Sequence, residues 1–91
     1  RSVPADTLVD VGPRSAFTTR IHVRAPDRVG LLHDLARAID ALGLDVRRAV
    51  ITTLSGVADD VFEVVDAEGG PPEPASLRDR IVDALEAAAR G

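Results

Sequence analysis

Within residues 24–36, Arg-Ala-Pro-Asp-Arg-Val-Gly-Leu-Leu-His-Asp-Leu-Ala, the hydrophobic pattern of this chain switches from that of a strand to that of a helix. Upstream, Phe17, Thr19, Ile21, Val23 and Ala25 alternate with Thr18, Arg20, His22 and Arg24, as expected of a strand with one buried face. Downstream, Leu31, Leu32, Leu35, Ala36, Ile39 and Leu42 recur at helical spacing, and Gly43 supplies a stop. Pro26-Asp27 ends the strand and Gly30 opens the helix. Such a corner holds unpaired backbone N–H groups at one point, at the positive end of the helix dipole. Such groups can receive a carboxylate or another small anion. Function is therefore expected at this corner.

The remaining elements follow from the same signals. Thr7-Leu8-Val9-Asp10-Val11 is a short strand in a lead-in, residues 1–16, broken by Pro4, Gly12 and Pro13. Residues 44–54 are rich in β-branched side chains, Ser55-Gly56 makes a tight turn, and residues 57–65 complete a hairpin. A loop runs through Gly69-Gly70-Pro71-Pro72-Glu73-Pro74. Ser76 then reads as a helix N-cap, with Asp79 at the third position and Leu77, Ile81, Leu85 and Ala88 on one face.

This order predicts a ferredoxin-like α+β sandwich, a four-stranded antiparallel sheet with two helices on one face. Its usual last strand is missing, because the sequence stops at Gly91 after the second helix. Strand 7–11 is expected to replace it, pairing antiparallel with strand 17–25 and covering an otherwise exposed edge. The domain body is then 17–91. A start at Arg1 rather than Met is expected of a fragment or a processed product.

Composition removes several uses of such a frame, which fold alone does not discriminate. The chain has no cysteine, which excludes disulfides, thiolate metal sites and the paired-cysteine metal chaperones. All eleven basic residues are arginine, so lysine Schiff-base and P-loop chemistry are absent. There is no asparagine to orient a water, as acylphosphatase-type catalysis requires. Phe17 and Phe62 are the only aromatics, too few for base stacking, and the net charge of −4 opposes binding to a phosphate backbone. No apolar run approaches the roughly 20 residues of a membrane span. Nucleic acid and membrane are therefore not expected partners, and the cysteine-free composition suits the cytoplasm.

The run Val23-Arg24-Ala25-Pro26-Asp27-Arg28-Val29-Gly30-Leu31-Leu32-His33-Asp34-Leu35 resembles the signature loop of ACT domains, the amino-acid-sensing regulatory modules. More narrowly, it resembles the C-terminal ACT domain of bifunctional PII uridylyltransferase/uridylyl-removing enzymes. Two further blocks carry the likeness, Asp45-Val46-Arg47-Arg48-Ala49-Val50-Ile51-Thr52-Thr53-Leu54 and Asp59-Asp60-Val61-Phe62-Glu63-Val64-Val65-Asp66. Val29 stands where that family usually has proline, and Glu63 where an aromatic is common.

The resemblance implies a regulatory module that is not itself catalytic and binds a small amino acid, glutamine foremost, near an interface with another ACT domain of the same chain or a second copy. The nucleotidyltransferase and hydrolase activities, their divalent metal such as magnesium, and the PII signal protein would belong to the parent enzyme in nitrogen regulation. This piece would need no cofactor. The alternative is a ligand-free ACT module that only pairs with another domain.

The expected ligand residues are Asp27, Arg28, Val29, Gly30, Leu31 and Leu32, with amides around Gly30–Leu32 on the α-carboxylate and Asp27 favouring the ammonium. Three of them have a plainer reading. Gly30 makes a sharp corner, Asp27 is a turn or N-cap residue, and Arg28 is solvated or pairs with a carboxylate. No catalytic or metal residues are expected: His22 and His33 read as solvated or hydrogen-bonded neutral imidazoles. Asp59-Asp60 and Arg47-Arg48, as neighbours in strands, point to opposite faces and form neither a dyad nor a phosphate fork.

Overall fold

A computed structural model describes residues 7–91; the lead-in residues 1–6, with Pro4, lie outside the described residues. The elements run β1 (Leu8–Arg14), β2 (Thr19–Pro26), α1 (Leu31–Ala41), β3 (Asp45–Leu54), β4 (Val57–Val65) and α2 (Pro74–Arg90). The sheet order is β1-β2-β4-β3 with every neighbouring pair antiparallel, the ferredoxin-like arrangement. β1 takes the edge beside β2, in register Leu8↔Arg24 through Val11↔Ile21, the edge expected for the lead-in strand. It runs on past Gly12-Pro13 to Arg14, with a register shift between Val11 and Arg14.

Alternation in β2 and β4 sends Thr19, Ile21, Val23 and Ala25, together with Ala58, Phe62 and Val64, into one core. Leu31, Leu35 and Ile39 of α1 and Ile81, Leu85 and Ala89 of α2 cover it. Burying these side chains supplies the main stabilisation, roughly 1.5–3 kcal/mol for each large one. Thr19 is polar yet fully buried, and its hydroxyl donates to the Pro72 carbonyl at 2.6 Å, which holds the loop before α2 against the sheet.

Several sequence expectations are corrected. Phe17 is 79% exposed and lies outside β2, because Ser15 Oγ accepts from the amides of Phe17 and Thr18, both at 3.0 Å, and keeps that stretch in a turn. Leu32 and Ala36 point outward, since α1 buries only a narrow stripe. α2 starts at Pro74 rather than after Ser76. Proline's fixed φ suits the first helical position, and Glu73 caps it by accepting from the Ala75 amide at 3.3 Å.

The two sheet edges differ. β1 is guarded by Arg78 of α2, which donates to the Val11 carbonyl at 3.2 Å. β3 has every residue exposed, for α1 makes only slight contact with it and the helix layer stops short of that edge.

Candidate functional site

The β2–α1 corner is built from two local devices. The Asp27 amide donates to the Gly56 carbonyl at 2.9 Å, which ties the corner to the β3–β4 turn. Gly30 takes the N-cap position with φ 83°, a left-handed conformation that glycine adopts without steric cost. No side chain caps α1. The Leu31 amide turns back to the Arg28 carbonyl at 3.2 Å, leaving Leu32 and His33 as the orphan donors of the first turn. Asp27 is exposed and does not serve as the N-cap.

Arg28 is only partly solvated and is not free. Its Nη2 lies 2.9 Å from Asp34 Oδ2 and 2.6 Å from the Ala88 carbonyl, and its Nε donates to the Ala89 carbonyl at 3.2 Å. A guanidinium on the last carbonyls of α2 satisfies groups that a helix end leaves unpaired and complements the dipole there. Arg28 thus braces the corner from below. Val29, 99% exposed, and Leu32 form its apolar lip, with Leu54 exposed at the end of β3. Leu31, by contrast, is core. The six sequence-chosen residues therefore divide: Asp27, Val29, Gly30 and Leu32 front the corner, Arg28 braces it, and Leu31 anchors it.

Of the charged pairs, Asp59 and Asp60 do face opposite ways. Asp59 pairs with His22 Nε2 on the open face of the sheet, so this imidazole is hydrogen-bonded rather than a metal ligand candidate. His33 is exposed on α1. Asp60 lies on the helix-bearing face at 1% exposure, and its Oδ1 has no hydrogen-bond partner. Asp60 is not among the residues expected at the site, although strand alternation carries the signal that one of two adjacent carboxylates must point inward. Burial raises its carboxyl above the usual range, and the charges of Asp27 and Asp59 act in the same direction. The main-chain hydrogen bond of Thr52 and the charge of His22 oppose them.

Among the described residues, no group of three or more His, Cys, Asp or Glu side chains could hold a metal ion, and no helix is long and apolar enough to cross a membrane.

The arrangement is that of a regulatory binding fold, an antiparallel sheet carrying a glycine corner whose helix start is open. Residues 19–88 match the ACT domain, and the chain belongs to that family. It is 49% identical over 73 residues to a bifunctional uridylyltransferase/uridylyl-removing enzyme of Caulobacter vibrioides, covering 76% of this chain and 8% of the relative. The corresponding enzyme of Streptomyces coelicolor is 45% identical over 69 residues, covering 75% and 8%. The ACT domain-containing protein ACR8 of Arabidopsis thaliana is 41% identical over 60 residues, covering 66% and 14%. The chain thus spans under a sixth of the length of these relatives. No solved structure matches it. ACT domains generally bind small amino acids and dimerise.

Proposed function

We propose that this chain is the amino-acid-sensing regulatory module of a uridylyltransferase/uridylyl-removing enzyme, with glutamine as its ligand. The observation that carries the reading is the uncapped start of α1, where the amides of Leu32 and His33 have no partner, at a corner that also carries exposed Asp27 and Val29. Those amides receive the α-carboxylate, and the positive end of the helix dipole favours it. The exposed lip at Val29 and Leu32 suits closure by a neighbouring ACT domain. Regulation then follows from ligand binding one arrangement of the two domains better than another. The likeness to the Caulobacter and Streptomyces enzymes supports a role in nitrogen regulation through the PII protein in the cytoplasm. Nucleotidyl transfer, hydrolysis and their divalent metal belong to segments other than this module.

The deciding experiment uses the full-length protein that contains this chain. With Gly30→Ala or Asp27→Ala, glutamine control of PII modification weakens, while modification without glutamine stays unchanged. Unaltered glutamine control in both variants overturns the reading.

A second reading, a module that only pairs, is favoured by the bare β3 edge with Val46, Val50, Ile51 and Leu54 exposed. It predicts association that is indifferent to added amino acids, measured by sedimentation equilibrium.

A further inference from the structure

A buried carboxylate oxygen without a partner is the least ordinary group in this molecule. Asp60 Oδ1 is shut away from solvent and takes no hydrogen bond, for the Thr52 main chain that acts on this carboxyl leaves that oxygen unpaired, although buried polar atoms are almost always paired. Removing a charged acceptor from water without a replacement bond is strongly unfavourable, so a donor is owed to this oxygen.

Its position says which donor. In the sheet ladder Asp60 stands between Val23 of β2 and Ile51 of β3, on the face that carries the helices. Val23 is core, so that side is closed. Ile51 is 43% exposed and belongs to the strand that the helix layer leaves bare, so approach is from that side. Along β4 the next inward residue is Ala58, opposite Ala25, beyond which the chain enters the glycine corner. Asp60 is therefore set back behind the same corner that presents the orphan amides of α1. Asp27, exposed at the corner, is close enough for its charge to act on Asp60, so both acids belong to this end of the sheet.

The nearest arginine of the corner, Arg28, is already held by Asp34 and the end of α2. A metal ion lacks a third ligand among the described residues. An ammonium group, small and bearing three N–H donors, fits the remaining requirement.

We propose that Asp60 receives the ammonium group of the amino acid bound at the β2–α1 corner, entering past Ile51. This deepens the proposed function and rests on it: Asp60 becomes the residue that tells an amino acid from a carboxylic acid of the same length. Asp27, exposed at the mouth, attracts the cation without holding it.

The test is calorimetric titration of this chain, and of the full-length protein containing it, with L-glutamine and with 4-carbamoylbutanoate, which lacks only the amino group. The unaltered protein binds glutamine about tenfold or more tighter than the deamino analogue, the scale of one charge-assisted hydrogen bond. Asp60→Asn brings the two affinities to within about twofold, while Asp27→Asn keeps most of the difference. Should Asn at this site prevent folding, Asp60→Val, which favours a strand, takes its place with the same expectation.

Full discrimination in an Asp60 variant overturns the inference and leaves the amino-acid reading standing; the oxygen is then satisfied by water alone. If the unaltered protein binds neither glutamine nor any other amino acid, the proposed function fails and this inference fails with it, a result in which the Asp60 variants play no part.

Discussion

Arg28 Nη2 lies 2.9 Å from Asp34 Oδ2, and the same guanidinium reaches the carbonyls of Ala88 and Ala89. One side chain thereby joins the first turn of α1, the corner before it and the last turn of α2. The corner is held from beneath by a cation while its upper side stays open.

Arg28→Ala should destabilise the fold by about 1–2 kcal/mol, the lower part of the range for charge-assisted bonds because the site is partly solvated. Arg28→Lys restores only part of that, since a point charge does not reproduce the planar fork. Urea denaturation midpoints at constant m-value check both.

Gly30→Ala isolates conformation from crowding. The nearest atom to an added Cβ is Arg28 Nη1 at 3.8 Å, ordinary contact, so the penalty is that of holding a side chain at φ 83°. That is about 1–2 kcal/mol by denaturation, and Gly30→Asn should cost less.

The fold that carries this corner was legible wherever the signal was local. Alternation from Thr19 to Ala25 and helical spacing of Leu31, Leu35 and Ile39 sufficed to place the core. Phe17 misleads because apolar alternation continues past the strand end, where Ser15 bends the chain. Ser76 misleads because a proline two residues earlier is the stronger start signal. The site was half legible: glycine and the aspartates are visible in the string, but the carbonyls that hold Arg28 stand some sixty positions away. Only the placement of the helices turns Asp60 from a strand residue into an unpaired buried acid.

That acid predicts a pH effect. Desolvation makes the Asp60 carboxyl hold its proton more tightly in the folded chain than in the unfolded one. Between the two pKa values the native state binds more protons, so this residue's contribution to stability falls as pH rises and recovers as pH falls. Asp60→Asn is expected to melt higher than the natural protein at neutral pH. The gap should narrow toward the ordinary carboxylate range in paired thermal scans.

Thr19→Val keeps the shape of a buried side chain but leaves the Pro72 carbonyl without its donor. The expected loss is about 1–3 kcal/mol. Faster hydrogen exchange in the loop 69–73, beyond that of the sheet, would locate the effect.

On β3, Val50→Lys adds a charge to an exposed edge strand. Surface changes of this kind stay within about 0.5 kcal/mol of the natural stability, so melting is unmoved. If the edge pairs with another ACT domain, sedimentation equilibrium shows weaker association.

The lead-in strand has a consequence for how the molecule assembles. A ferredoxin-like sheet that recruits its edge after the second helix must bring that strand back across the whole domain. Here β1 reaches the same edge through the turn 15–18, as a hairpin with β2. Loop-closure entropy for that edge is small, and the contact order of the domain is lowered accordingly. The demanding step becomes the junction of β2 with β4, which encloses the corner, α1 and β3. Folding rate should then respond to substitutions at Ile21 and Phe62 far more than at Val9, so the edge forms cheaply and the ligand corner is closed by the step that limits the whole.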